Sequence, residues 1–132
     1  MSRYLSHLAP DLQRLAADML AGCEKAGIEV LVTCTYRSNE EQARLYAKGR
    51  TEPGNIVTNA KPGQSLHNAT DSAGNPAARA FDVVPIRDGK PVWEASDPVW
   101  QIVGQIGESV GLEWAGRWTR MREYPHFQKV KP

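Results

Sequence analysis

Two of the three histidines in this chain stand in company that could do chemistry. His67 closes the segment Gly63-Gln64-Ser65-Leu66-His67, and His126 lies in Glu123-Tyr124-Pro125-His126-Phe127. His7 sits before a helical pattern in an ordinary polar context. An acid three residues before a histidine can supply two ligands, or a base and a ligand. On a helix the two would share a face, but Pro125 removes a backbone donor and clashes inside a helix. The segment is therefore expected to turn at Tyr124-Pro125 and so bring Glu123 and His126 together. Asp82 is the third candidate, inside Ala80-Phe81-Asp82-Val83-Val84. A carboxylate in an apolar strand is costly unless it is paired or binds a metal. The competing reading is an acid on the exposed face of an edge strand, which the alternation with Phe81 and Val83 permits.

Two histidines and an aspartate, His67, Asp82 and His126, would give Zn2+ three protein ligands. A fourth position stays open for water, as in catalytic rather than structural zinc sites. Such a metal lowers the pKa of water and polarises a carbonyl. A carboxylate that is not a ligand must then carry the proton to the leaving amine, and Glu123 is the candidate. A cation would stabilise the oxyanion, and Arg37, just beyond a buried strand, is the candidate. Arg37 could instead be a surface arginine or a partner of Glu40 or Glu41.

The elements that must position these residues follow from local signals. Pro10 suits the first turn of a helix over residues 10–26. Leu12, Leu15, Ala16, Met19, Leu20 and Cys23 recur at three- and four-residue steps, and Gly27 can end it. Ile28, Val30, Val32 and Cys34 alternate as in a strand with one buried face. Ser38 and Glu41 form a capping box for a second helix, closed by Gly49. Residues 50–68 read as a long loop of the kind that carries function, and residues 69–78 continue its polar character. Strand chemistry returns at 79–86, and Asp88-Gly89 signals a hairpin turn. Asp97-Pro98 starts a third helix with an apolar face of Val99, Ile102, Val103 and Ile106, ending near Gly111. Leu112 to Phe127 should be strand and loop. This order predicts an α+β fold, three helices on a small, mainly antiparallel sheet.

The 132 residues suit one domain over 1–132, with 41% hydrophobic and 23% charged residues. A net charge of +1 without a polybasic stripe argues against nucleic acid or an anionic membrane as partner. No apolar run is long enough to span a bilayer, and the N-terminal residues lack the regions of a secretory signal. Cytoplasmic synthesis without a membrane anchor is expected. Cys23 and Cys34 match no metal or redox spacing and are expected as small buried apolar residues.

Taken together, these segments resemble a known family. Thr35-Tyr36-Arg37-Ser38, Gln42, Leu45-Tyr46 and Gly49-Arg50-Thr51 are similar to the front half of the zinc D-Ala-D-Ala carboxypeptidase and L-alanyl-D-glutamate endopeptidase family. Pro53 to Ala60 followed by Gly63 to Asn68 resembles its phage endolysin branch. Ser65-x-His67 with Ala80-x-Asp82 resembles the family's Ser-x-His and Ala-x-Asp motifs. Leu112-x-Trp114-x-Gly116-x-Trp118 with Glu123-x-Pro125-His126-Phe127 resembles its C-terminal motif. The resemblance implies zinc on His67, Asp82 and His126, Glu123 as base, Arg37 as stabiliser, and Ser65 and Gln42 as residues that position substrate. It implies the small α+β fold shared with the Hedgehog signalling domain.

The implied activity is cleavage of the peptidoglycan stem peptide at the L-alanyl-D-glutamate bond by a monomeric endolysin. Such an enzyme is held in the host cytoplasm until the membrane is permeabilised. The alternatives are a D-alanyl-D-alanine carboxypeptidase or dipeptidase and a non-enzymatic Hedgehog-like zinc module. Two departures from the pattern stand out. The family usually places its aspartate closer to the first histidine, whereas fourteen residues separate His67 from Asp82 here. The added segment reads as an inserted loop and offers Asp71 as a rival ligand; the strand context favours Asp82. Many endolysins also carry aspartate where this chain has Glu123. Tyr36, Trp114 and Trp118 fit a substrate groove or the core equally well.

Overall fold

In the computed structural model, which describes residues 1–132, Pro10 opens helix α1 (Pro10–Lys25), where its missing N–H leaves no bond unmade. Leu12, Ala16, Met19 and Cys23 form its buried stripe, and Gly27 takes the positive φ of +77° that ends it. Strand β1 (Glu29–Cys34) follows. Helix α2 (Asn39–Ala47) starts with the expected capping box: Glu41 N–H donates to Ser38 Oγ (3.1 Å) and Ser38 N–H to Glu41 Oε1 (2.9 Å). After the long loop comes β2 (Ala80–Arg87), then β3 (Lys90–Pro91). Asp88 and Gly89 join them with φ of 54° and 74°, the pair of positive values a tight hairpin turn needs. Helix α3 (Val99–Ser109) is capped by Asp97, which accepts from Val99 N–H (3.0 Å). Strands β4 (Glu113–Trp114) and β5 (His126–Gln128) complete the chain.

All strand pairs are antiparallel, in the order β1-β2-β5-β4, with β3 on the end of β2. The expected α+β architecture is present. Strand β2 is central, so Asp82 does not lie on an edge. Because side chains alternate along a strand, adjacent rows of the sheet face opposite ways. One row is Phe81, Phe127 and Trp114, registered across three strands and stacked at 5.9 and 6.4 Å between ring centroids. It forms the core with α1 and α3. The next row is Cys34, Asp82 and His126. A register shift between Val32 and Cys34 puts an extra residue, Thr33, on β1. Such a bulge re-aims the chain that follows it, here the segment leading to Arg37.

The apolar face of α3 differs from the one expected. Val99 and Val103 are buried, but Trp100 joins them and Ile102 is exposed. Gly104 and Gly107 are the reason, because without a Cβ the helix lies directly on the aromatic row. An added Cβ would stand 2.3 Å from the Trp114 ring at Gly104 and 2.4 Å from the Phe127 ring at Gly107. Ile106 turns toward α1 and meets Gly22.

Arg79, just before β2, clasps Asp11 of α1 with two bonds (2.5 and 2.9 Å) and donates Nε–H to the Lys129 carbonyl (2.8 Å). The clasp ties the first helix to both central strands. Its guanidinium hydrogen bonds hold the Asp11 carboxyl below the usual value.

Two outcomes follow. Gly107→Ala lowers stability by about 1–3 kcal/mol in urea titration, although alanine favours an isolated helix by about 1 kcal/mol; a stabilised variant would show that helix and ring are not in close contact. The Asp11 contribution is present above its unfolded pKa of about 3.9 and is lost as pH falls through its lower folded value. Asp11→Asn is therefore less stable at neutral pH, and its stability falls less on acidification. An unchanged acid limb in a pH series of denaturation midpoints would remove Asp11 from the account.

Candidate metal centre

Asp82 reaches the site from β2, and His126 is its register partner on β5. His67 comes from a 3-10 turn (Leu66–Asn68) whose first N–H groups are taken up by side chains. Ser65 Oγ accepts from His67 N–H (3.2 Å), and Asn68 Oδ1 accepts from Ser65 N–H (3.3 Å). The three side chains converge: Asp82 Oδ1 is 3.0 Å from His126 Nδ1 and 3.3 Å from His67 Nε2.

The remaining ring nitrogens determine what this convergence can bind. His67 Nδ1 is 2.8 Å from the Thr35 carbonyl, which can only accept, so Nδ1 carries the hydrogen and neutral His67 presents its Nε2 lone pair. His126 Nε2 is 2.8 Å from Gln128 Oε1, which leaves Nδ1 as the lone pair. Both lone pairs point at the same carboxylate oxygen. Each imidazole thus has the outer hydrogen-bond partner typical of a metal-ligating histidine. Two nitrogens and a carboxylate fit a zinc-type cation. The electrostatics agree. Burial by itself pushes the Asp82 carboxyl up, but when protons rather than a metal sit on the facing nitrogens, hydrogen bonds from His126 and His67 outweigh it and hold the group well below the carboxylate range. Burial pushes His67 down, yet without a metal the contact with Asp82, helped by Cys34, raises it to about 10, so that a proton takes the place on Nε2 that an ion would otherwise fill.

Cys34 lies close as well, its Sγ 3.7 Å from His67 Nδ1, and one donor atom from each of Cys34, His67 and Asp82 falls within 4.8 Å of the others. The thiol, however, stands on the protonated Nδ1 side of the ring, behind the face that meets Asp82 and His126. The geometry favours His126 over Cys34 as third donor. Cys34 had been expected only as a buried apolar residue. It is buried and unpaired, but it also borders the site, which strand register alone reveals. Cys23 is buried in the core, where desolvation pushes its thiol up to about 11.

Glu123 approaches as the turn at Tyr124-Pro125 requires. His126 N–H donates to the Glu123 carbonyl (3.2 Å), and Trp114 Nε1–H holds the Tyr124 carbonyl (2.8 Å). Its Oε2 stands 3.8 Å from His126 Nδ1, with the side chain 55% exposed. It is near the centre without being part of the Asp82 cluster. Arg37 forms no ion pair with Glu40 or Glu41; Glu41 is engaged in the capping box. Arg37 lines a cavity of about 410 Å3 together with Leu45, Val57, Ser65, Glu123 and the three converging residues. A second cavity of about 320 Å3, lined by Arg122, Tyr124 and Pro125, shares Asp82, Glu123 and His126 with the first.

Several expected placements change. Gln42 is completely buried and touches no open cavity, so it cannot contact substrate. Its Oε1 instead accepts from Arg37 Nη1 (3.0 Å). Ser65 borders the cavity but its hydroxyl is engaged in capping the His67 turn. Asp71 is exposed, its Oδ1 accepts from the N–H groups of Ala73 and Asn75 (2.9 Å each) to close its own turn, and it does not line the cavity shared by His67, Asp82 and His126. The excursion it belongs to is closed at its base by Ala77 N–H to the Ala69 carbonyl (3.0 Å) and Asp71 N–H to the Asn75 carbonyl (2.9 Å). Trp114 is core, whereas Trp118 packs on the His126 ring at 5.8 Å, and Tyr36 packs at the core edge against His7. Thr35, Gln128 and Asn68, none of them a sequence candidate, hold the site together.

The chain as a whole is similar to known proteins. The chain is 35% identical to the peptidoglycan L-alanyl-D-glutamate endopeptidase CwlK of Bacillus subtilis (strain 168), over 95% of its own length and 75% of that protein. Its fold is similar to that of the Serratia marcescens L-Ala D-Glu endopeptidase ChiX, with a TM-score of 0.64 at 21% identity, covering 94% of this chain and 81% of that one. Family models described as D-alanyl-D-alanine carboxypeptidase match residues 5–75 and 58–129. The match from 58 to 129 takes in His67, Asp82, Glu123 and His126, and the chain is a peptidase belonging to the D-alanyl-D-alanine carboxypeptidase family.

Proposed function

We propose that this protein is a zinc endopeptidase that cleaves the L-alanyl-D-glutamate bond in the stem peptide of peptidoglycan. The observation that carries the reading is the convergence of His67 Nε2 and His126 Nδ1 on Asp82, with Glu123 and Arg37 lining the same cavity. His67, Asp82 and His126 would hold the ion. Bound there, zinc would act as a Lewis acid and lower the pKa of water. Glu123, more than half exposed and close to His126 without touching Asp82, takes the proton from the attacking water and returns it to the leaving amine. Arg37 faces the charge that develops on the carbonyl oxygen. The Thr35 carbonyl and the Gln128 amide keep each imidazole in its donor orientation.

Endopeptidase cleavage requires room for the substrate on both sides of the reacting bond. Two cavities meeting at Asp82, Glu123 and His126 supply it, and both named relatives support the same bond. The D-alanyl-D-alanine carboxypeptidase reading is favoured by the family description and by a glutamate as base. The resemblance to phage endolysins extends the proposal to host lysis. The protein would wait in the cytoplasm and attack the wall once the membrane is permeabilised.

Digestion of purified peptidoglycan by the zinc-loaded protein is expected to expose new N-terminal D-glutamate or D-isoglutamine, read by mass spectrometry. Release of D-alanine would move the protein to the carboxypeptidases, and intact substrate with zinc bound would make it a binding module. Glu123→Ala should retain zinc and lose about 100- to 10,000-fold in turnover; loss of metal from this variant would make Glu123 a ligand. Metal analysis should find His67→Ala and Asp82→Ala depleted and Asp71→Ala loaded, and the reverse pattern for the two aspartates would overturn the ligand assignment.

A further inference from the structure

We propose that Gln42 is a positioning residue for Arg37, and that it is an amide because this position must hold the guanidinium without neutralising it. The proposal rests on the reading of Arg37 as the stabiliser of the oxyanion. Gln42 is fully buried. Its Nε2 donates to the Ala60 carbonyl at 2.8 Å and lies 3.5 Å from Thr58 Oγ1. A carbonyl accepts and cannot donate, so this bond dictates which end of the amide faces Arg37. Oε1 then takes Arg37 Nη1–H at 3.0 Å, with Asn68 Nδ2 at 3.5 Å on the same oxygen. Asn68 closes the arrangement by donating to the Arg37 carbonyl at 2.8 Å.

The other contacts of Arg37 share one property. Nε faces Met1 Sδ at 3.0 Å, and Nη2 faces Cys34 Sγ at 3.7 Å. One amide oxygen and two sulfurs surround it, with no carboxylate in ion-pair range. Arg79, Arg87 and Arg117 are each matched by an acid, whereas Arg37, like Arg50, is held by neutral acceptors alone. A carboxylate on Arg37 would cancel the field it presents to a developing negative charge; a neutral acceptor fixes its direction and leaves the charge unspent. Through the same amide, the Thr58 and Ala60 stretch of the cavity wall is tied to the position of Arg37.

The test compares Gln42→Glu with Gln42→Met, assayed on purified peptidoglycan with zinc content checked. Glutamate keeps an acceptor for Arg37 but adds charge, whereas methionine removes the acceptor and adds none. If Gln42 served anchoring alone, glutamate would be the milder change. The expected result is the opposite order, with kcat of Gln42→Glu down about 10- to 100-fold, KM changed little, and Gln42→Met less affected. In an Arg37→Ala background neither substitution should lower kcat further, since coupled residues do not add. A glutamate variant as active as wild type, or one that still loses turnover without Arg37, would overturn the proposal. Should Gln42→Glu not fold, Gln42→Met in the two backgrounds decides: a loss present with Arg37 and absent without it supports the link, and equal losses refute it. If Arg37→Ala alone leaves turnover intact, the assigned role of Arg37 fails, independently of Gln42.

Discussion

A carboxylate on the central strand of a sheet must be given counter-charge, and the architecture answers that demand at Asp82. The strand on one side supplies His126 in register, and the long loop returns His67 to the other side of the same oxygen. Burial opposes the charge and the two imidazoles outweigh it. The backbone carbonyl of Thr35 and the amide of Gln128 then fix the imidazoles themselves. Each layer holds the one inside it, and the outcome is a carboxylate faced by two imidazoles whose outer nitrogens are already engaged.

The same sheet keeps this polar cluster apart from the core by a single residue of offset. Phe81 and Phe127 point to the helices, and Asp82 and His126 point away. Close packing on one face restrains the strands that carry the donors on the other. Rigid elements hold a site more closely than loops do. Two of the three converging residues are on strands, and the third is pinned by a capped turn bonded to Arg37 N–H through the His67 carbonyl at 2.9 Å.

What could be read from the sequence was what local chemistry encodes. The α1 start at Pro10, the Ser38 capping box, the Asp88-Gly89 turn and the bend at Tyr124-Pro125 each depend on neighbouring residues, and each is present. The face of α3 was misjudged because glycine carries no hydrophobic signal; only the rings of Trp114 and Phe127 give Gly104 and Gly107 their meaning. The support of the site was hidden for a related reason. Gln128 looks like an ordinary polar strand residue until β5 is paired, and Cys34 reaches His67 only through a register with a bulge. Gln42, read as a substrate contact, is enclosed by Ala60, Thr58, Asn68 and Arg37, which come from distant parts of the chain.

The excursion around Asp71 leaves and rejoins the chain at Ala69 and Ala77, two residues already bonded to each other. The path between the two ends is therefore bypassed, and the distance from His67 to Asp82 in space does not depend on how many residues are spent between them. Loop length costs little free energy when the ends are held. Ligand spacing along the chain is thus a free variable in this architecture. A search that demands a set interval between the first histidine and the aspartate would pass over homologues that differ only in a surface ornament.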